Sequence, residues 1–97
     1  MKTFQEFISE STYVTNNIKQ RVKKAIKPLG RAESARGTTV WTINAKDFSE
    51  SLKSLENEFG RFGQDATHHV YEDDNIHISI SMPHEGIRIC LVSAYSI

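Results

Sequence analysis

The stretch IHISISMPHEGIRICLVSAY, residues 76–95, decides the fold. Ile76, Ile78, Ile80 and Met82 alternate with His77, Ser79 and Ser81, the period-two pattern of a half-buried strand. Pro83-His84-Glu85-Gly86 is turn chemistry, and a second β-rich run begins at Ile87. With residues 83–86 as a four-residue loop, Met82 faces Ile87, Ile80 faces Ile89 and Ile78 faces Leu91. All six are apolar, so this register predicts one hairpin face as a core wall. The opposite face then carries His77, Ser79 and Ser81 beside Arg88, Cys90 and Val92.

Working outward, residues 67–71 form a third period-two run, joined to the hairpin by the turn sequence Glu72-Asp73-Asp74-Asn75. Residues 38–44, TTVWTIN, are rich in β-branched side chains, with Trp41 and Ile43 on one face, and read as a strand. Between them Phe48, Leu52, Leu55 and Phe59 share a helical stripe that stops at Gly60. Asp47-Phe48-Ser49-Glu50 resembles a capping box at its start. Upstream, residues 12–27 carry Val14, Ile18, Val22 and Ala25 or Ile26 at helical spacing, with lysines on the other faces and Pro28 beyond. Residues 30–37 lack periodicity and hold two glycines, so they read as a linker or exposed loop. The expectation is a small α+β domain. An antiparallel sheet of about four strands, in the order β-α-β-β-β, carries one packed helix and follows a basic N-terminal helix.

The chain has 97 residues, enough for one domain with a modest core. Cys90 is the sole cysteine, which rules out an internal disulfide and suits a reducing compartment. No apolar run approaches the ~18 residues needed to span a membrane, and no apolar core of a secretory signal follows Lys2. Neither membrane insertion nor export is expected. The zero net charge hides a division. Residues 11–37 hold Lys19, Arg21, Lys23, Lys24, Lys27, Arg31 and Arg36 against Glu33 alone, a net of +6; residues 38–97 carry four basic and nine acidic side chains, a net of −5. A basic arm on an acidic body can meet two kinds of partner or fold back on itself.

Little in the chain has the spacing of a catalytic or metal motif. His68, His69, His77 and His84 invite a metal, and the strand pairing puts His68 and His77 on one face. Neighbours such as His68 and His69 point oppositely and cannot share an ion. No metal and no cofactor is expected. Cys90 lies diagonal to His77 in the inferred register, yet no third orienting group is evident, and a small buried hydrophobe is the expected role. Gly60-Arg61-Phe62-Gly63 follows a helix where a phosphate loop would precede one. The seven basic residues Lys19, Arg21, Lys23, Lys24, Lys27, Arg31 and Arg36 form a candidate for non-specific DNA contact. Stacking aromatics are missing apart from Tyr13, and a solvated helix face is the competing reading.

The first ten residues, MKTFQEFISE, place Phe4, Phe7 and Ile8 at i, i+3 and i+4 before Ser9-Glu10. They resemble the capsid-targeting peptide of internal head proteins in large contractile-tailed bacteriophages. That leader ends in a Leu/Ile-x-Glu tripeptide, matched here by Ile8-Ser9-Glu10, and a prohead protease cuts after the glutamate. The implied bond is Glu10–Ser11, with Ser11 where the family more often has Ala or Gly. So short a segment is marginal as an isolated helix, which suits protease access. The competing reading docks Phe4, Phe7 and Ile8 on the domain's own core.

The resemblance covers only about a tenth of the chain, and it implies a life history. Residues 1–10 would be a propeptide that engages the prohead core and its protease. Residues 11–37 would supply the basic helix and linker, and residues 38–97 the α+β core. The expected location is the interior of the phage head and then the host cytoplasm, with the trimmed protein binding and inhibiting a host restriction or nuclease-type defence protein. The alternative is a core or packaging protein that touches DNA through its basic helix. On either reading it is not an enzyme.

Overall fold

The computed structural model describes residues 16–97. Among them are two helices, α1 (Asn16–Ala25) and α2 (Phe48–Glu58). The strands are β1 (Glu33–Ala35), β2 (Thr38–Asn44), β3 (Gly63–Gln64), β4 (His68–Glu72), β5 (Ile76–Ser81) and β6 (Ile89–Ser96). They form one sheet in the order β1-β2-β6-β5-β4-β3, and every neighbouring pair is antiparallel. The α+β class expected from sequence holds; the sheet has six strands where about four were expected.

β3 to β6 run as a meander, and β6 then slots between β5 and β2, closing the chain's last strand against its early one. Both helices cover one face. Val22 from α1, Ile26 just beyond its end, and Phe48 and Leu55 from α2 share one buried cluster with Trp41, Ile43, Ile78, Ile80, Cys90, Val92 and Ala94. Aromatic contacts fix the far side: Phe48 meets the His69 ring at 5.6 Å, and Phe62 meets Tyr71 at 5.7 Å between centroids. The described part of residues 11–37 therefore belongs to the same packed unit as 38–97. Gly60 ends α2 with a φ of 146°, and a Cβ there would stand 3.1 Å from the Tyr71 ring. Both facts favour glycine.

Four expectations need correction. The first concerns register: Ile80 faces Val92 and Ile78 faces Ala94, three residues beyond the predicted pairing. An odd shift exchanges the two faces of a strand, so Cys90, Val92 and Ala94 are buried while Ile89 and Leu91 are exposed. The cause lies in the connection. Met82 N–H donates to the Thr67 carbonyl, Ile87 N–H to His84, and the Arg88 carbonyl accepts from Ala45 N–H. Residues 82–88 thus serve neighbouring segments and lengthen the loop.

Second, residues 30–37 are more than a linker. Glu33–Ala35 pair with Thr38–Val40 across a two-residue turn, Arg36-Gly37, whose φ values of 53° and 82° match the mirror-image turn of tight hairpins. Ser34 Oγ and Thr39 Oγ1 sit 3.0 Å apart across that pair. Third, Asp47 makes no side-chain cap. A 3-10 turn, Ala45–Asp47, runs directly into α2, with Phe48 N–H bonded to the Ala45 carbonyl. Fourth, the α2 stripe is only partly buried. Ser51 replaces Leu52 in the buried set, and Phe59 stays half-exposed beneath the Arg21 guanidinium.

Candidate interaction surface

The candidate cleavage residues Ile8, Ser9, Glu10 and Ser11 lie outside the described residues, as do Phe4 and Phe7. The seven basic residues do not converge. Arg21 Nε lies 2.6 Å from Glu58 Oε1, its Nη2 donates to the Glu58 carbonyl at 3.0 Å, and its guanidinium sits 4.4 Å over the Phe59 ring. Lys27 Nζ pairs with Glu50 Oε2 at 3.2 Å. The basic helix thus folds back on the acidic one, and both pairs are solvent-exposed contacts of modest strength. Lys23 and Lys24 are exposed on α1, and Lys19 is half-buried. Arg31 and Arg36 flank β1, the edge strand of the sheet.

The histidines and the cysteine also separate. Cys90 is 1% exposed on the helix-covered face, where burial pushes its thiol up and keeps it protonated. His77 stands on the opposite face, stacked on Tyr95 at 4.6 Å with Nδ1 2.9 Å from Glu72 Oε1. The corrected register therefore breaks the Cys90–His77 pairing. His68 and His77 do share the open face, at opposite ends of β4 and β5. His69 points into the core, and His84 is exposed in the 82–88 loop. Among the described residues, no group of three or more His, Cys, Asp or Glu side chains could hold a metal ion. None of their helices is long and apolar enough to cross a membrane.

Two carboxylates tie the ends of β4. Asp65 Oδ1 accepts from the N–H groups of Thr67 and His68 at 2.8 and 2.7 Å. Asp73 Oδ1 accepts from Asn75 and Ile76 at 2.7 and 2.9 Å, while its Oδ2 accepts from the Tyr71 hydroxyl at 2.8 Å. These backbone donors hold both carboxyls below the usual range. His68 Nδ1 bonds the Thr67 hydroxyl at 2.7 Å, beside a pocket of about 420 Å³ lined by Ser81, Met82, His84 and Ile87. Ser81 Oγ already accepts from Leu91 N–H at 2.8 Å.

What the sequence reasoning missed is the sheet face that neither described helix covers. From β2 it presents Thr38, Val40, Thr42 and Asn44; from β6 Ile89, Leu91, Ser93 and Tyr95; from β5 His77, Ser79 and Ser81. These three central strands place no Asp, Glu, Lys or Arg on this side. Ile89 and Leu91 are 47% exposed and Tyr95 38%. Ser79 and Ser93 satisfy each other across the strands at 2.7 Å. An uncharged area with exposed Ile89, Leu91 and Tyr95 in line along β6 is a surface suited to docking another protein. The available signal was that Ile89 and Leu91 are as apolar as the Cys90 and Val92 between them, so β6 had to carry two apolar faces. No known family model, curated protein or solved structure matches this chain.

Proposed function

We propose that this chain is an internal head protein of a contractile-tailed phage, trimmed after Glu10, ejected with the DNA, and active in the host by binding and blocking a defence protein of the restriction or nuclease type. The leader's Ile8-Ser9-Glu10 supports the delivery half of this reading. The binding half is carried by the open sheet face, where Ile89, Leu91 and Tyr95 are left uncovered on strands without formal charge. The buried, protonated Cys90 and its separation from His77 favour binding over catalysis. A packaging role through the basic helix is disfavoured because Arg21 and Lys27 already neutralise Glu58 and Glu50, leaving less charge for phosphate.

Phage carrying Leu91→Asp should plate normally on a host without the defence system. On a host with it, plating should fall about tenfold or more, the loss expected when about 1.4 kcal/mol of binding is removed. Equal plating of variant and parent on both hosts would remove the binding reading. Intact mass of the virion-derived protein tests the delivery half: retention of residues 1–10 counts against it.

A further inference from the structure

We infer that the open sheet face closes against a second copy of the same chain, forming a two-fold symmetric dimer with β6 on the axis. This rests on the reading of that face as a docking surface and names its first occupant. The host protein then meets the fraction released as monomer.

The argument begins with where the apolar side chains stand. Ile89, Leu91 and Tyr95 all lie on β6, with Ile97 exposed at 58% just beyond its end. In the order β1-β2-β6-β5-β4-β3, β6 is the middle of the five strands from β1 to β4. β1 and β4 therefore stand two strands away on either side, each about 10 Å off by interstrand spacing. An axis parallel to β6, lying between two stacked sheets, superposes β6 on its mate and places β1 of one copy over β4 of the other. The exposed apolar spine then packs on itself, which an isologous interface requires.

Charge chooses this axis. Thr38, Tyr95, His77 and Glu72 form one cross-strand row. The Arg36-Gly37 turn lies just beyond Thr38, and Asp73-Asp74 just beyond Glu72, so the basic turn and the acidic turn occupy the same end of the sheet on opposite flanks. Rotation about the β6 axis brings the Arg36 turn of each copy over the Glu72–Asp74 turn of its mate, twice per dimer. An axis across the strands would instead carry each turn to the opposite end of the mate's sheet, away from the turn of opposite charge. Glu33, on the open face of β1, falls in the row of Val70, so in the dimer it stands over the mate's Val70, offset from Glu72 by about 7 Å along the strand in addition to the sheet spacing of about 10 Å. The strands between the flanks contribute no formal charge to desolvate.

Sedimentation equilibrium of the full chain, from about 1 μM to about 1 mM, reads the association directly. The expected result is a monomer–dimer equilibrium within that range. Arg36→Glu and Asp74→Arg should each raise the dissociation constant about tenfold or more, since symmetry applies each change twice. An equimolar mixture of the two variants should restore association, because the heterodimer regains opposite charges at both contacts. Leu91→Asp should abolish the dimer, with circular dichroism confirming the fold. The proposal fails if the chain stays monomeric throughout, if Leu91→Asp still dimerises, or if the mixture associates no better than either variant alone. A monomer that still needs Leu91 for plating on the defended host overturns the dimer and leaves the target-binding reading standing. A dimer that confers no such protection does the reverse.

Discussion

Among the described residues, one face of the sheet lies under two helices and the other under none, yet the same strands build both. On β6 the covered side holds Cys90, Val92 and Ala94, whereas the open side holds the bulkier Ile89, Leu91 and Tyr95. Hydrophobicity alone would have buried the larger set. Phe48, Leu55 and Val22 from the helical side share the buried cluster with Cys90, Val92 and Ala94, where smaller strand side chains leave room for them. Burial on β6 therefore does not follow side-chain hydrophobicity, and the larger apolar side chains stay exposed on the open side.

The largest expected effect lies under the helices. Ile78→Ala or Leu55→Ala removes a fully buried side chain from the shared cluster and should cost about 2–5 kcal/mol in urea unfolding. A loss under about 1 kcal/mol would mean that the covered face is not the core.

A smaller effect should come from the rim, where Asp65 and Asp73 hold the ends of β4. Their folded-state carboxyls lie below the unfolded value of about 3.9, so their stabilisation is present above that pH and is lost as pH falls through the folded values. Thermal midpoints followed from neutral pH down to about pH 2 should drop more steeply for the parent chain than for Asp65→Asn or Asp73→Asn. Parallel curves would show that these turns are not held by the charged carboxylates.

The smallest effect should fall on the open face. Leu91→Ser, measured at a dilution where the chain is monomeric, should change stability by no more than about 0.5 kcal/mol. A loss comparable to Ile78→Ala would erase the distinction between the faces.

Much of the fold was legible because period and punctuation agreed. TTVWTIN, the Phe48–Leu55 spacing and the alternation from Ile76 to Ser81 each matched one template, and each formed the expected element. The basic helix was legible too: Val22 of its stripe is buried, Ile18 is partly buried, and of the two alternatives the spacing left open, Ala25 or Ile26, Ile26 is the more buried. The β6 register was not legible. With apolar residues on both sides of the strand, a three-residue slip changes nothing in the local pattern. The β1 hairpin was hidden because Arg36 adopts a positive φ that sequence preference assigns to Asn, Asp or Gly. The interaction surface shared the fate of the register, since an inverted β6 places Ile89 and Leu91 in the core.

By itself, the sequence determined the types of the longer elements, α1, α2, β2, β4, β5 and β6, and the division between a basic helix and an acidic body. These depend on residue spacing within about twenty positions. Tertiary structure alone decided which side of β6 faces the helices, that Arg21 and Lys27 are matched by Glu58 and Glu50, and that the Arg36 and Asp74 turns share one end of the sheet. Each of those depends on pairings between segments distant in the chain. Their free energy comes from burial and register summed over the whole sheet, which no local pattern contains.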